Sequence, residues 1–229
     1  MPLDAMLFDK DGTLFDFGAT WSASTVHVIG ELSGGDPALA ATLAAVAGFD
    51  MASGTFSPDS ILVAQSNREI AQELVAHLPG RSVQEIEYHM VESAAQAALA
   101  PAVPLGPFLD GLTARGLALG VMTNDAEISA RNHLETAGVL GRFDFIAGFD
   151  SGHGAKPAPE PLLAFCNAVG VLPARTAMVG DSAHDLVAGR AAGMITIGVL
   201  TGIAVAADLH PFADVVLPDI GHIPAWLVG

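Results

Sequence analysis

Lysine is scarce in this chain of 229 residues: only Lys10 and Lys156 occur. Positive charge of any kind is thin, with nine Lys and Arg against 25 Asp and Glu, a formal net charge of −16. Such a balance argues against nucleic acid or an anionic membrane as a partner. An anionic ligand would have to be drawn in by a metal or by a few placed cations. A single cysteine, Cys166, excludes an internal disulfide and suits a reducing cytoplasm, the expected location. It stands among Leu162, Leu163 and Phe165 in a helical pattern and reads as core. No apolar run approaches the roughly 18 residues that a membrane helix needs. The longest, Leu39 to Phe49, is Ala-rich and reads as a packed helix. The first residues reach Asp4 and Asp9 almost at once, so no signal peptide is expected.

What the chain does have is a recurrence of short apolar runs between turn signals: Ala5–Phe8, Leu117–Met122, Phe143–Ala147, Thr176–Val179, Ile195–Leu200 and Asp214–Leu217. In the second half, helical patterns alternate with them. Asp125–Ala137, Glu160–Val169 and Ala183–Ala192 are each followed by glycine, a helix stop signal. Alternating strands and helices predict an α/β fold with a parallel sheet covered on both faces. Residues 18–104 read differently, as several helices with no convincing strand. Ser57-Pro58 looks like a helix start, and Ser82-Val83-Gln84-Glu85 fits a capping box before a helix reaching Leu99. The Pro-rich stretch 101–107 reads as a linker. The expected division is therefore a core of residues 1–17 and 105–229 and a helical insertion of residues 18–104.

In open parallel sheets, ligands bind beyond the carboxyl ends of the strands. Four strand ends, or the loops after them, carry polar groups. They are Asp9-Lys10-Asp11-Gly12-Thr13, Thr123-Asn124-Asp125, Gly154-Ala155-Lys156-Pro157 and Gly180-Asp181-Ser182-Ala183-His184-Asp185. If the strands are neighbours, Asp9, Asp11, Asp181 and Asp185 converge. Like charges at close range oppose ionisation, so the cluster needs a cation, and oxygen donors favour a hard one such as Mg²⁺. Both lysines of the chain fall in these loops.

These four motifs, in this order, resemble the haloacid dehalogenase superfamily in its phosphatase branch. The insertion after the first motif is similar to that family's mobile helical cap, and more loosely the chain resembles its phosphoglycolate-phosphatase-like members. The resemblance implies a Rossmannoid core, an α-helical cap domain, a Mg²⁺ cofactor and a small phosphorylated metabolite as substrate, in a monomer or homodimer. It further implies that Asp9 attacks phosphorus and that Asp11 acts as general acid, then base. Thr123 and Asn124 would bind the phosphoryl group, and Lys156 would balance its charge. Metal would be held by Asp9, the Asp11 backbone carbonyl, Asp181 and Asp185. Asp185 has a second reading as a helix first-turn charge, and Ser182 as a cap. His184 and His153 read as solvated histidines, and Phe17 and Trp21 as pocket or hinge residues. Within the insertion only Arg68 and Arg81 are basic, and Arg68 is the candidate for a substrate carboxylate. Lys10 departs from the apolar residue usual in the family; strand alternation would turn it away from Asp9 and Asp11, toward another acid behind the site. A phosphomutase of the same fold and a non-catalytic regulatory protein stand as alternatives.

Overall fold

The computed structural model describes residues 3–57, 60–64, 67–95 and 97–228. Along the chain the elements are β1 (Ala5–Phe8), α1 (Phe17–Leu32), α2 (Pro37–Ala47), β2 (Phe49–Asp50), β3 (Thr55–Phe56), α3 (Ile61–Ala64), α4 (Asn67–Leu74) and α5 (Val83–Ala95). They continue as α6 (Leu105–Thr113), β4 (Ala118–Met122), α7 (Glu127–Thr136), β5 (Phe145–Ala147), α8 (Glu160–Val169) and β6 (Thr176–Gly180). Last come α9 (Ala183–Ala192), β7 (Ile195–Val199), α10 (Ala206–Leu209), β8 (Val215–Leu217) and α11 (Ile223–Trp226). The chain divides into two compact units, Met1–Phe17 with Leu99–Gly229, and Gly18–Ala98.

The first unit is built on a six-stranded sheet of order β5-β4-β1-β6-β7-β8, and every pairing in it is parallel. The strands are short apolar runs because both faces are covered. Alternation sorts their side chains between the faces. Met6 and Phe8 join Leu119, Val121, Ala177 and Val179 in one buried cluster. Ala5 and Leu7 join Met122, Met178 and Phe165 in another. Helix α8 lies so close to the sheet that a Cβ on Gly120 would come within 2.7 Å of the Phe165 ring and 2.9 Å of Leu7. Glycine at that place in β4 is what lets the helix seat. Among the described residues, no helix is long and apolar enough to cross a membrane.

The chain returns to this unit at Leu99, ahead of the expected Leu105. The reason is backbone pairing. Asp16 N donates to Ala100 O at 2.8 Å and Ala102 N to Leu14 O at 2.9 Å, so the Pro-rich stretch runs beside the outgoing chain.

The second unit is helical around a core that includes Ile29, Leu43, Phe49, Ile70, Leu74 and Ile86. Asp36 caps α2 by accepting from Ala38 N at 2.9 Å, and Gly48 ends it in the left-handed region at φ 69°. The capping box before α5 forms, with Ser82 N donating to Glu85 Oε2 at 2.7 Å, but the helix stops at Ala95, short of Leu99. The expectation of no strand here was wrong: β2 and β3 pair antiparallel, with the Phe49 and Phe56 rings 4.9 Å apart. Arms of two residues are too short to show alternation in sequence. The Ser57-Pro58 helix start falls partly outside the described residues, and the helix that follows begins at Ile61.

Two glycine substitutions test this packing with opposite signs. Gly120→Ala overpacks the sheet and lowers unfolding free energy by about 1–3 kcal/mol in urea titration. Gly111→Ala, on α6 with open space around its Cα, raises it by about 0.4–1 kcal/mol.

Candidate active site

Register places the motifs. Phe8 at the end of β1 pairs with Val121 of β4 on one side and Val179 of β6 on the other. The residues that follow these strands therefore emerge side by side. Strand order runs from β1 to β4 and β5 on one side and then continues through β6, β7 and β8 on the other, and this reversal beside β1 opens a crevice at the strand ends. Asp9 N donates to Val179 O at 2.8 Å, and Thr123 N to Ala147 O at 3.1 Å, so both residues are pinned by their neighbours' backbones.

Lys156 is the hub. Its Nζ donates to Asp9 Oδ1 at 2.6 Å and lies 2.6 Å from Asp185 Oδ1, the latter an ion pair rather than a regular hydrogen bond. All three groups are largely buried. Asn124 holds the lysine's backbone from both ends: its Oδ1 accepts from Lys156 N and its Nδ2 donates to Lys156 O, each at 2.9 Å. Asn124 was expected beside the substrate; here its side chain positions Lys156. Thr123 Oγ1 accepts from Asp125 N at 3.1 Å, which leaves its hydroxyl hydrogen free to donate elsewhere.

Asp181 and Asp185 are seated by residues the motifs only partly revealed. Thr13 Oγ1 donates to Asp181 Oδ1 at 3.2 Å. Gly12, at φ 76°, makes the turn after Asp11, and a side chain on Gly12 or Gly202 would collide with the Asp181 carboxylate. Thr201 Oγ1 donates to Gly12 O at 2.6 Å and ties these two loops together. Gly202 and Thr201 follow a strand whose end looked featureless in sequence. Asp185 does two jobs. Its Oδ2 accepts from Ser182 N at 3.0 Å and Ser182 Oγ at 2.7 Å, closing the capping box of α9, while Oδ1 faces Lys156.

The electrostatics test whether a cation fits. One oxygen from each of Asp9, Asp181 and Asp185 lies within 4.8 Å of the others. Burial is the main force raising the Asp9 carboxyl to about 7, with Lys156 opposing and Asp185 and Asp11 adding to it. Burial, then Asp185 and Asp9, also lift Asp181 well above the usual range. Burial alone would depress Lys156, but Asp185 and Asp9 outweigh it and keep its ammonium charged. Fully ionised, these three carboxylates against one ammonium would leave two negative charges uncompensated. A hard divalent cation on these oxygens matches that deficit, so the donor set fits Mg²⁺. The Asp11 carboxylate is not in this group.

Lys10 corrects the expectation from alternation. It does not turn away from Asp11: Nζ lies 2.6 Å from Asp11 Oδ2, 3.3 Å from Asp125 Oδ2 and 3.0 Å from His133 Nδ1. Strand β1 stops at Phe8, and Lys10 begins a turn in which its carbonyl accepts from Leu14 N and Phe15 N, so period-two alternation no longer applies. The side chain is fully buried. An ammonium can only donate, so His133 Nδ1 accepts. Burial, followed by Lys10, lowers the His133 pKa and favours the neutral ring that this requires. Asp125 and His133 had no assigned role in the sequence.

The remaining candidates have other contacts. Arg68 belongs to the helical unit, where it sits 3.5 Å from Glu87. His184 and His153 are exposed, and Cys166 is buried with Sγ 3.5 Å from Thr176 Oγ1.

Known proteins can now be set beside this geometry. A phosphoglycolate phosphatase of Neisseria meningitidis is 35% identical over 120 residues, 52% of this chain and 47% of that protein. The match thus spans about half the length of that curated relative. Among solved structures, a HAD family hydrolase from Deinococcus radiodurans with bound phosphate and sodium superposes with a TM-score of 0.73 at 20% identity, covering 99% of this chain and 96% of the other. A β-phosphoglucomutase from Clostridium difficile gives 0.63 at 16% identity, covering 99% and 97%. At such identities the likeness is one of fold. Residues 6–199 match the family described as haloacid dehalogenase-like hydrolase, from within β1 to the end of β7. The chain belongs to that family of hydrolases.

Proposed function

We propose that this protein is a Mg²⁺-dependent phosphatase acting on a small phosphorylated metabolite, phosphoglycolate being the first to try. The observation that carries the reading is Lys156, held 2.6 Å from both Asp9 and Asp185 with Asp181 alongside. A buried ammonium next to a carboxylate nucleophile lets an anionic phosphate approach an anion. Mg²⁺, when held by Asp9, the Asp11 carbonyl, Asp181 and Asp185, would supply further positive charge to the phosphoryl oxygens. Thr123 has a hydroxyl hydrogen to offer those oxygens, and Asn124 keeps Lys156 in place. Asp9 forms a bond to phosphorus as the ester P–O bond breaks, and Asp11 gives the departing oxygen a proton. Water then attacks the aspartyl phosphate while Asp11 takes a proton from it, releasing phosphate and restoring Asp9. If the substrate carries a carboxylate, Arg68 is the cation proposed for it.

A panel of phosphate esters assayed with Mg²⁺ is expected to show phosphate release that Asp9→Asn abolishes and EDTA stops. Equal turnover by wild type and Asp9→Asn discards the reading. Asp11→Asn should slow turnover by about 10²–10⁴-fold. Isomerised sugar phosphate without free phosphate, from glucose 1-phosphate, would favour the mutase instead.

Arg68→Ala should raise KM for phosphoglycolate by about 10–100-fold, the worth of one charge-assisted hydrogen bond, and leave KM for an uncharged alkyl phosphate unchanged. Equal effects on the two substrates would remove Arg68 from the site.

The raised Asp9 pKa also has a sign. Between its ordinary value of 3.8 and about 7 the unfolded chain releases this proton while the folded one keeps it, so stability from this group falls as pH rises. Without metal, Tm should decline across that window, and added Mg²⁺ should raise Tm more at pH 8 than at pH 5. A shift independent of pH would place Mg²⁺ away from Asp9.

A further inference from the structure

Resting on the phosphatase reading, we infer that Lys10 is a positioning residue for the second aspartate, binding one oxygen of the Asp11 carboxylate and so fixing the orientation in which that group transfers protons. Lys10 Nζ lies 2.6 Å from Asp11 Oδ2, whereas Asp11 Oδ1 is buried and has no hydrogen-bond partner among the described residues. The two oxygens of one carboxylate are thus unlike. Oδ2 is tied to Lys10, so the ammonium sets how the carboxylate is turned.

The tie is itself anchored. Lys10 is fully buried, and beyond Asp11 it reaches Asp125 Oδ2 at 3.3 Å and His133 Nδ1 at 3.0 Å. Asp125 in turn accepts from Ser129 Oγ at 2.5 Å and from Ala126 N at 2.7 Å. Asp125 and Ala126 lie in the loop leading into α7, and Ser129 and His133 are on that helix. The Asp11 carboxylate is therefore referenced, through Lys10, to a helix packed on the sheet and not only to its own turn. An apolar residue at position 10 could not do this, because it offers Asp11 no donor.

The test uses kinetics that a purely structural role would not reproduce. Lys10→Met keeps the side-chain volume and removes the donor. Since it leaves Asp125 without its cation, Lys10→Met/Asp125→Asn is made alongside. For an alkyl phosphate, whose alkoxide must be protonated as it leaves, kcat/KM, which covers only the steps through departure of the leaving group and not the shared hydrolysis of the aspartyl phosphate, is expected to fall by about 10²-fold, the cost of misplacing a catalytic group by about 1 Å. For p-nitrophenyl phosphate, whose leaving group needs no proton, the fall should be at least about tenfold smaller. In an Asp11→Asn background, Lys10→Met should cost less than about twofold more, because the group it positions is already gone. Equal loss on both substrates, or full additive loss in the Asp11→Asn background, overturns the proposal. So does failure of both variants to unfold cooperatively, which would make Lys10 a folding ion only. Wild-type turnover and its loss in Asp9→Asn are read separately, so a failure of the phosphatase reading is told apart from a failure of this one.

Discussion

The site depends on one buried ammonium between two buried carboxylates. Lys156 makes it affordable to bury Asp9 just past an apolar strand, where burial works against its charged form, and to set Asp185 beside it at the start of α9. Its placement is enforced through its backbone, by the paired hydrogen bonds from Asn124, and not only through its charge. That arrangement links three strand ends: β4 supplies Asn124, β1 supplies Asp9 and β6 leads to Asp185. The parallel register brings them level, and the apolar clusters on both faces of the sheet keep that register fixed.

A second ammonium, Lys10, works on the other acid of the first motif. The two lysines divide the labour. Lys156 sits between carboxylates of the acid cluster that could hold a cation, and Lys10 sits behind the turn, toward α7. A chain with 25 acidic residues and only two lysines has put one beside each aspartate of the first motif. Cations held this deeply are not screened by salt as surface ones are.

Much of this was legible in the sequence, for physical reasons. Helices α8 and α9 carry amphipathic or capped patterns ended by glycine, and their bounds follow from those signals. Strands of a covered parallel sheet are plain apolar runs, and polar residues directly after them mark the ligand edge. What escaped was of three kinds. The β2–β3 hairpin is too short to carry a period. Lys10 was assigned by a rule that holds inside a strand, and the strand had ended two residues earlier at Phe8. Gly202, Thr201, Asp125 and His133 act through distant partners, such as Asp181, Gly12 and Lys10, that no local pattern connects to them.

The double duty of Asp185 narrows the routes by which this site can be altered. One oxygen closes the first turn of α9 and the other neutralises Lys156, so no single replacement preserves both. Glutamate would lengthen the reach to the lysine and spoil the geometry of the helix start; asparagine would keep the start and surrender the charge. Anyone redesigning the pocket for another ion must therefore rebuild the opening of a helix at the same time, and evolution meets the same obstacle: chemistry and architecture here share an atom's neighbour and must change together.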